Sequence, residues 1–591
     1  MKKQTKVLVT LSAAALLAVG ASAVSFAEGW DNSTGVWQYL DKDGEAVTDE
    51  WKSSNGQWFW LDDEGVMATD SVIEDDSESK AKYYYVDANG ARVTNTWKAV
   101  AKDDDDDDSD AEYYWMYFGS DGKAYTTSED DDLTKSKLKT INGLKYAFDS
   151  KGHMLYGWIS KSDKTQHDSE DDFWRNDDVA YYANGWNDGH IQTGWKQLDV
   201  MNAEDEEKTY WFYFGNDGVK QKNKQKKING VKYSFAADGH MLDEWVSKTN
   251  SDAKDGTAGQ LSYFNGDGAQ RKNKWIYAVP AEDYILKNDV AGTGDVVNDD
   301  YNDDENRWFY VNASGKVVAG QIKKINGKKY AFDKFGRMKK NFVFASDNVY
   351  KGNVKNDKVT REDFLDVAAS AADSDNELDG KAGVYDLYYM SDDEKNDGSL
   401  KKGYQTITLD DDTYQFYFNT SSGKAENGYI DKIKKFVAYG LVVKPADADA
   451  NYVGVVADVD GTSIKKNGFG TAYNQKVVLN GSEIKDAIKA GSYVVLVNKQ
   501  GTVVKNKSKL KDENDHYYIV NKNGFVLAYF DSEDDYDDFV KALKGQTTDS
   551  SKSNYYTGRT YRNYASNGKV TVGELAGSSE LNLADAYQDS L

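Results

Sequence analysis

The chain has no cysteine among its 591 residues, so no disulfide staples it and neither a thiolate nucleophile nor a thiolate metal ligand is available. Proline is nearly absent, with two residues, so few positions break a strand. The five histidines (His153, His167, His190, His240, His516) show no ligand spacing and no H-E-x-x-H occurs, which removes the common zinc hydrolases. Positive charge is also short: 73 Lys and Arg stand against 99 Asp and Glu, a formal net charge of -26. Phosphate backbones are held by clustered cations, so nucleic acid is excluded as a partner. Beyond Ala27 no segment approaches the roughly 18 consecutive apolar residues that a membrane helix needs.

What the chain does have is aromatic surface. A mean hydropathy of -0.76 leans toward disorder, but 42 Tyr, 22 Phe and 15 Trp supply flat groups that fold by packing on one another. The N-terminus carries Lys2, Lys3 and Lys6, an apolar run from Val7 to Val24, and small residues at Ser25-Phe26-Ala27. That order reads as a secretory signal peptide over residues 1–27, leaving no membrane span after cleavage. Much of the negative charge is gathered in runs, Asp103 to Asp108, Glu129 to Asp132 and Glu170 to Asp172. Such runs read as solvated loops, with calcium binding as the alternative because carboxylates cluster without fixed ligand spacing. Asp41-Lys42-Asp43-Gly44 lacks the later Glu of a calcium loop and reads as a turn.

Two periods organise the chain. Trp30 to Gly44 is followed by Trp51 to Gly65 in the same pattern: Trp, polar residues, Gly, an aromatic cluster such as Trp58-Phe59-Trp60, then Asp-x-x-Gly. A repeat this short means a solenoid or array, and each unit predicts an aromatic strand, a turn closed by Gly and a second short strand such as Val66 to Thr69. A longer period is laid over it: Lys139 to Phe148 recurs as Lys226 to Phe235 and as Lys323 to Phe332, each followed by Gly-x-Met at Met154, Met241 and Met338. Duplicated blocks of about three hairpins, separated by acidic loops, account for both.

These units resemble the cell wall binding repeat family, which includes choline-binding modules and glucan-binding repeats of Gram-positive surface proteins. The resemblance covers roughly residues 30 to 430. It implies an all-β, tandem β-hairpin solenoid with ligands held between neighbouring hairpins in aromatic cages. Carried onto this sequence, the cage residues are Trp30, Trp37, Tyr39, Trp51, Trp58 and Trp60, with Tyr85 and Trp97 in the next units. Strand alternation puts Trp58 and Trp60 on one face and Phe59 on the other, so they do not all serve one cage. A quaternary ammonium is attracted to Trp and Tyr faces and a sugar ring stacks on them equally well, so choline and glucan both stay open as partners. The competing reading is that the rings are only core between units. All Trp lie between Trp30 and Trp308, so binding capacity should fade toward the C-terminus.

Past about residue 430 aliphatic strands replace the Trp pattern, and Asp531 to Leu543 predicts a short helix with Tyr536, Phe539, Val540 and Leu543 on one face. The expected organisation is therefore 1–27 signal peptide, 28–430 wall-binding repeats with acidic insertions, 431–545 a smaller β-rich domain with that helix, and 546–591 a polar tail. No catalytic residue, resident cofactor or metal ligand is assigned. The functional expectation is a non-catalytic exported protein, secreted and associated with the cell wall or surface. A repeat-built adhesin or scaffold with a protein partner, or a carbohydrate-active enzyme with its site in the C-terminal domain, are the other readings.

Overall fold

The computed structural model describes residues 28–76, 81–102, 113–167, 172–202, 205–247, 258–280, 305–373, 375–392, 398–460, 463–543, 561–564 and 570–573. The expected signal peptide, the Asp103 to Asp108 run, Glu170 and Asp171 lie outside these residues. The chain divides into two compact units, Met1–Asp252 with Phe264–Gln270, and Ala253–Tyr263 with Arg271–Leu591.

The first unit is a series of antiparallel hairpins, most of them two-stranded. Glu50–Ser54 pairs with Gln57–Leu61, Ser71–Asp75 with Lys82–Val86, Thr96–Ala101 with Tyr113–Phe118, and Gly194–Met201 with Glu207–Phe214. In the hairpin Glu50–Ser54/Gln57–Leu61 the reversal falls at Asn55-Gly56, with φ of 50° and 82°, earlier than the expected turn at Asp62 to Gly65. Two consecutive positive φ values match the twist of the flanking strands, and Asn-Gly tolerates them. The expected second strand, Val66 to Thr69, shrinks to a bridge between Leu61 and Met67.

The Asp-x-x-Gly turn aims that bridging residue. Asp62 Oδ1 accepts from the backbone N–H of Glu64 (3.0 Å) and Val66 (2.7 Å), and Asp41 does the same for Asp43 and Glu45 (both 2.9 Å). The bridging residue then donates its N–H to a carbonyl of the preceding hairpin: Met67 to Trp37 (2.7 Å), Arg92 to Trp58 (2.8 Å), Ala124 to Tyr83 (2.8 Å), Met154 to Trp115 (2.7 Å) and Lys220 to Ala180 (2.7 Å). One hydrogen bond per unit thus fixes the register of neighbours. Glycine is required at Gly122, where φ is +79° and a Cβ would lie 2.7 Å from the Arg92 side chain packed beneath it.

The second unit begins with the same construction, Lys274–Ala278 pairing with Arg307–Val311, and Gln321–Ile325 with Lys328–Phe332. At Asn341–Ser346 the pattern changes. This strand pairs with both Val349–Val354 and Asp386–Met390 inside a six-stranded sheet, and helix Arg361–Ala368 follows Thr360, whose side chain and that of Asp363 cap its first turn reciprocally. A five-stranded sheet runs in the order Gly403–Leu409, Asp412–Phe418, Leu441–Val442, Lys435–Ala438, Gly428–Ile430. Tyr452–Val456 pairs with Val494–Asn498, flanked by helix Gly481–Lys489.

The fold is all-β with short helices. The C-terminal helix, Glu533–Leu543, starts two residues later than expected, and buried Tyr536 packs on Tyr517 and Phe530; the side chains of Phe539 and Leu543 lie outside those described. Within the expected polar tail, Tyr561–Tyr564 and Val570–Gly573 extend the sheet of Val526–Phe530. Among the described residues no helix is long and apolar enough to cross a membrane.

Candidate functional site: aromatic boxes between hairpins

Strand alternation gives each hairpin two working faces. Trp51 packs edge-on against Trp60 of its own hairpin (5.3 Å between centroids) and against Tyr84 of the next (5.0 Å). Phe59, on the opposite face from Trp58 and Trp60, turns back instead and meets Trp30 at 5.2 Å. One strand therefore serves two successive sites: its Trp face opens the site ahead, and its Phe or Tyr closes the site behind.

The closed unit is a box of four side chains: the opening Trp, a second Trp diagonal to it across the hairpin, a ring from the next hairpin, and the bridging residue that follows. The first box is Trp30, Trp37, Phe59 and Met67, with Tyr39 at 5.4 Å from Trp30. Each duplicated block builds another. Trp97 and Trp115 meet Tyr146 and Met154, with Trp97 at 5.0 Å from Tyr146. Trp195 lies 6.2 Å from Trp211 and 4.7 Å from Tyr233, with Met241 at the bridging position beside Phe235. In the second unit Trp275 lies 6.2 Å from Trp308 and 4.8 Å from Tyr330, with Met338 against them. The opening Trp and the closing Tyr meet at 66°, 68° and 73° in these three boxes, so the same geometry has been built three times. Trp211 and Trp308 keep 40% and 43% of their surface in solvent, so the outer wall is accessible while the closing ring is held.

The residues expected to line cages are thus distributed over several places. Trp30, Trp37 and Tyr39 share the first box. Trp51, Trp58 and Trp60 share the second with Tyr84. Trp97 belongs to a later box. Tyr85 lies apart, packed on Phe118 at 5.9 Å, its hydroxyl donating to Asp70 Oδ1 at 2.6 Å, and burial with that carboxylate pushes the phenol well above its ordinary range. Sequence reasoning did not assign Trp115, Trp195, Trp211, Trp275, Trp308 or their tyrosines. The signal was present: Tyr stands three residues after Asn-Gly at Tyr146, Tyr233 and Tyr330, and each is followed by the Gly-x-Met of the long period.

Two boxes carry a basic side chain at the bridging position, Arg92 and Lys220. The Arg92 guanidinium lies 5.4 Å from each of the Trp51, Trp58 and Tyr84 rings. In the hairpin opened by Trp158 the second Trp position is Ala180, and Trp174 from the turn Phe173–Arg175 supplies the missing ring. There Lys220 Nζ lies 5.2 Å from Trp158 and 5.9 Å from Trp174 and donates to the Trp174 carbonyl at 2.5 Å.

The acidic loop Glu129 to Asp132 serves a lysine. Buried Lys164 Nζ donates to the carbonyls of Ser128 (3.2 Å), Glu129 (2.8 Å), Asp131 (2.9 Å) and Ser162 (2.8 Å), so an ammonium takes the oxygens a cation would use. Among the described residues no group of three acidic or histidine side chains is placed to hold a metal ion. His153 and His240, equivalent in the duplication, stack on Tyr114 (3.9 Å) and Tyr210 (4.7 Å) and each pairs with an aspartate.

Serial hairpins with ring-lined boxes at several of their junctions define a class, the aromatic hairpin repeat array. Residues 47–97 match the family model of the choline-binding repeat. No curated protein matches it. Among solved structures it is similar to choline binding protein F from Streptococcus pneumoniae, at 18% identity and a TM-score of 0.32 over 56% of this chain and 100% of that one. It is also similar to the modular autolysin LytC from Streptococcus pneumoniae, at 17% identity and a TM-score of 0.26, over 51% of this chain and 52% of that one. The choline-binding domain of CbpL from the same organism matches at 20% identity and a TM-score of 0.25, over 42% of this chain and 97% of that domain. Likeness at these scores gives no residue-by-residue correspondence.

Proposed function

We propose that this chain is an exported, non-catalytic surface protein that holds on to a choline-bearing cell wall polymer, each quaternary ammonium seated in an open aromatic box. The observation that carries the reading is the fourfold recurrence of opening Trp, a second Trp that is half-buried (Trp37, Trp115) or exposed (Trp211, Trp308), closing Tyr or Phe and a Met at the bridging position. A trimethylammonium gains about 0.5–2 kcal/mol from cation–π attraction at such a site. Enclosing its methyls adds roughly 25 cal/mol per Å² of surface removed from water. The thioether supplies a soft apolar floor without competing charge.

Charge supports a cationic ligand over a neutral one. A protein with a net charge of -26 is repelled by an anionic wall, and a short-range cationic handle offsets this. The box opened by Trp51 already accepts a guanidinium. The glucan reading rests on stacking alone. Export rests on the N-terminal basic and apolar pattern of residues 1–27.

The test is sedimentation with purified Gram-positive walls, with choline or a soluble α-glucan as competitor. Release by choline, weaker pelleting of Trp211→Ala and Trp308→Ala, and no soluble fragments released from the wall are the expected results. Release by the glucan and not by choline would replace the ligand, and appearance of wall fragments would replace the non-catalytic assignment.

A further inference from the structure

The bridging position that follows each hairpin is fixed by register, and its occupants can be compared. The partners Leu61 and Met67, Val86 and Arg92, Phe148 and Met154, Phe214 and Lys220, Phe235 and Met241, and Phe332 and Met338 are structurally equivalent pairs. Wherever the box holds two Trp and a Tyr or Phe closing ring, the bridging residue is Met in four cases and Arg or Lys in the other two. The Arg92 guanidinium is equidistant, at 5.4 Å, from three rings contributed by two hairpins, which is the centre of the box. Its stem lies under Gly122, and among the described residues it has no carboxylate partner. An unpaired guanidinium is held there by the ring faces, as a diffusible cation would be.

We propose that the bridging residue decides whether a box takes ligand: Met leaves it open, whereas Arg92 fills the Trp51, Trp58 and Tyr84 box with the chain's own cation and closes it. This rests on the reading of the open boxes as quaternary ammonium sites. Lys220 fills the Trp158 and Trp174 box from the equivalent position, and its hydrogen bond to the Trp174 carbonyl tethers it there. The array then carries boxes that stabilise the stack without ligand, interleaved with boxes that bind. The tethered cation is present at an effective concentration in the millimolar range or above, so weakly bound free ligand does not displace it.

Equilibrium dialysis of radiolabelled choline against the full-length chain tests this through stoichiometry. Arg92→Met, which installs the residue found at four equivalent positions, should add one choline site with a Kd within about tenfold of the existing ones. The reciprocal Met154→Arg should remove one site and leave the others unchanged. A wild-type chain that binds choline, with an Arg92→Met variant of equal stoichiometry, overturns the inference; so does a Met154→Arg variant that keeps every site. A wild-type chain that binds no choline overturns the reading of the open boxes. In that event a single site gained in Arg92→Met still upholds the closing role of Arg92, and none gained overturns both.

Discussion

The hairpin array and the region from Phe342 to Phe525 solve the same problem in opposite ways. In the array each apolar cluster is small and shared by two neighbouring hairpins, as with Phe59, Leu61 and Met67 against Trp30 and Trp37. From Phe342 to Phe525 one contiguous core joins strands of several sheets to helix Arg361–Ala368. The difference teaches where binding is affordable. A box wall such as Trp211 contributes to one junction and leaves much of its ring in water. Phe416, fully buried, touches Phe342 (5.3 Å), Phe364 (5.2 Å) and Phe418 (6.2 Å), so nothing there is free for a ligand. Nearest-neighbour packing of repeats also confines damage to one junction, whereas a shared core transmits it.

The largest expected effect follows directly. Phe416→Ala should cost about 3–5 kcal/mol of stability in its own unit, because it removes a buried ring and leaves a cavity. Trp211→Ala should cost less than about 2 kcal/mol and act mainly on ligand binding. Denaturant unfolding of both variants beside choline affinity checks the contrast. Equal stability losses, or a Trp211→Ala variant that binds normally, would break it.

How much of this was legible in the sequence depends on which physical signal carried each part. The hairpins and their period were visible, because Trp, the aromatic cluster and Asp-x-x-Gly recur in register. The place where the chain reverses was expected at Asp62 to Gly65, although Asn55-Gly56 is a strong hairpin signal. The boxes were half legible. Trp58 and Trp60 were placed on one face and Phe59 on the other, but the closing ring comes from the next hairpin, and only stacking reveals that Tyr84 or Tyr146 completes the wall. The sheets after Asn341 were the least legible. Buried strands such as Asn341–Ser346 and Val494–Asn498 are continuous apolar runs without alternation, so the sequence does not name their partners.

A second prediction asks whether array junctions tolerate a polar group at a cost that pH reveals. Burial pulls the Lys220 ammonium down from 10.5 to about 7, with the Asp238 carboxylate opposing. Between those values the unfolded chain holds a proton that the folded chain has released, so folding stability rises with pH across that window. The penalty is complete below about 7 and fades toward 10.5. Lys220→Met should therefore stabilise the first unit, on the order of a few kcal/mol near pH 6 and little near pH 10. A gain that does not change with pH would mean that the amine is not paying a desolvation cost in its box.

The smallest expected difference compares one turn in the two regions. Asp62 and Asp512 each accept from two backbone N–H groups, Glu64 and Val66 in one case, Asn514 and His516 in the other (both 2.9 Å for Asp512). Asp512 is almost fully buried and its second oxygen also accepts from the Tyr518 hydroxyl at 2.8 Å and faces His516 Nδ1 at 3.0 Å. Asp62→Ala frees two N–H groups that water can reach in part, and should cost about 1 kcal/mol. Asp512→Ala should cost about 1–2 kcal/mol more, because the Tyr518 hydroxyl is left buried without its acceptor. Asp512→Asn, which keeps an oxygen for the turn, should recover part of that loss. Equal costs for the two alanine variants would mean that the turn, and not the buried network behind it, is what the aspartate supplies in both regions.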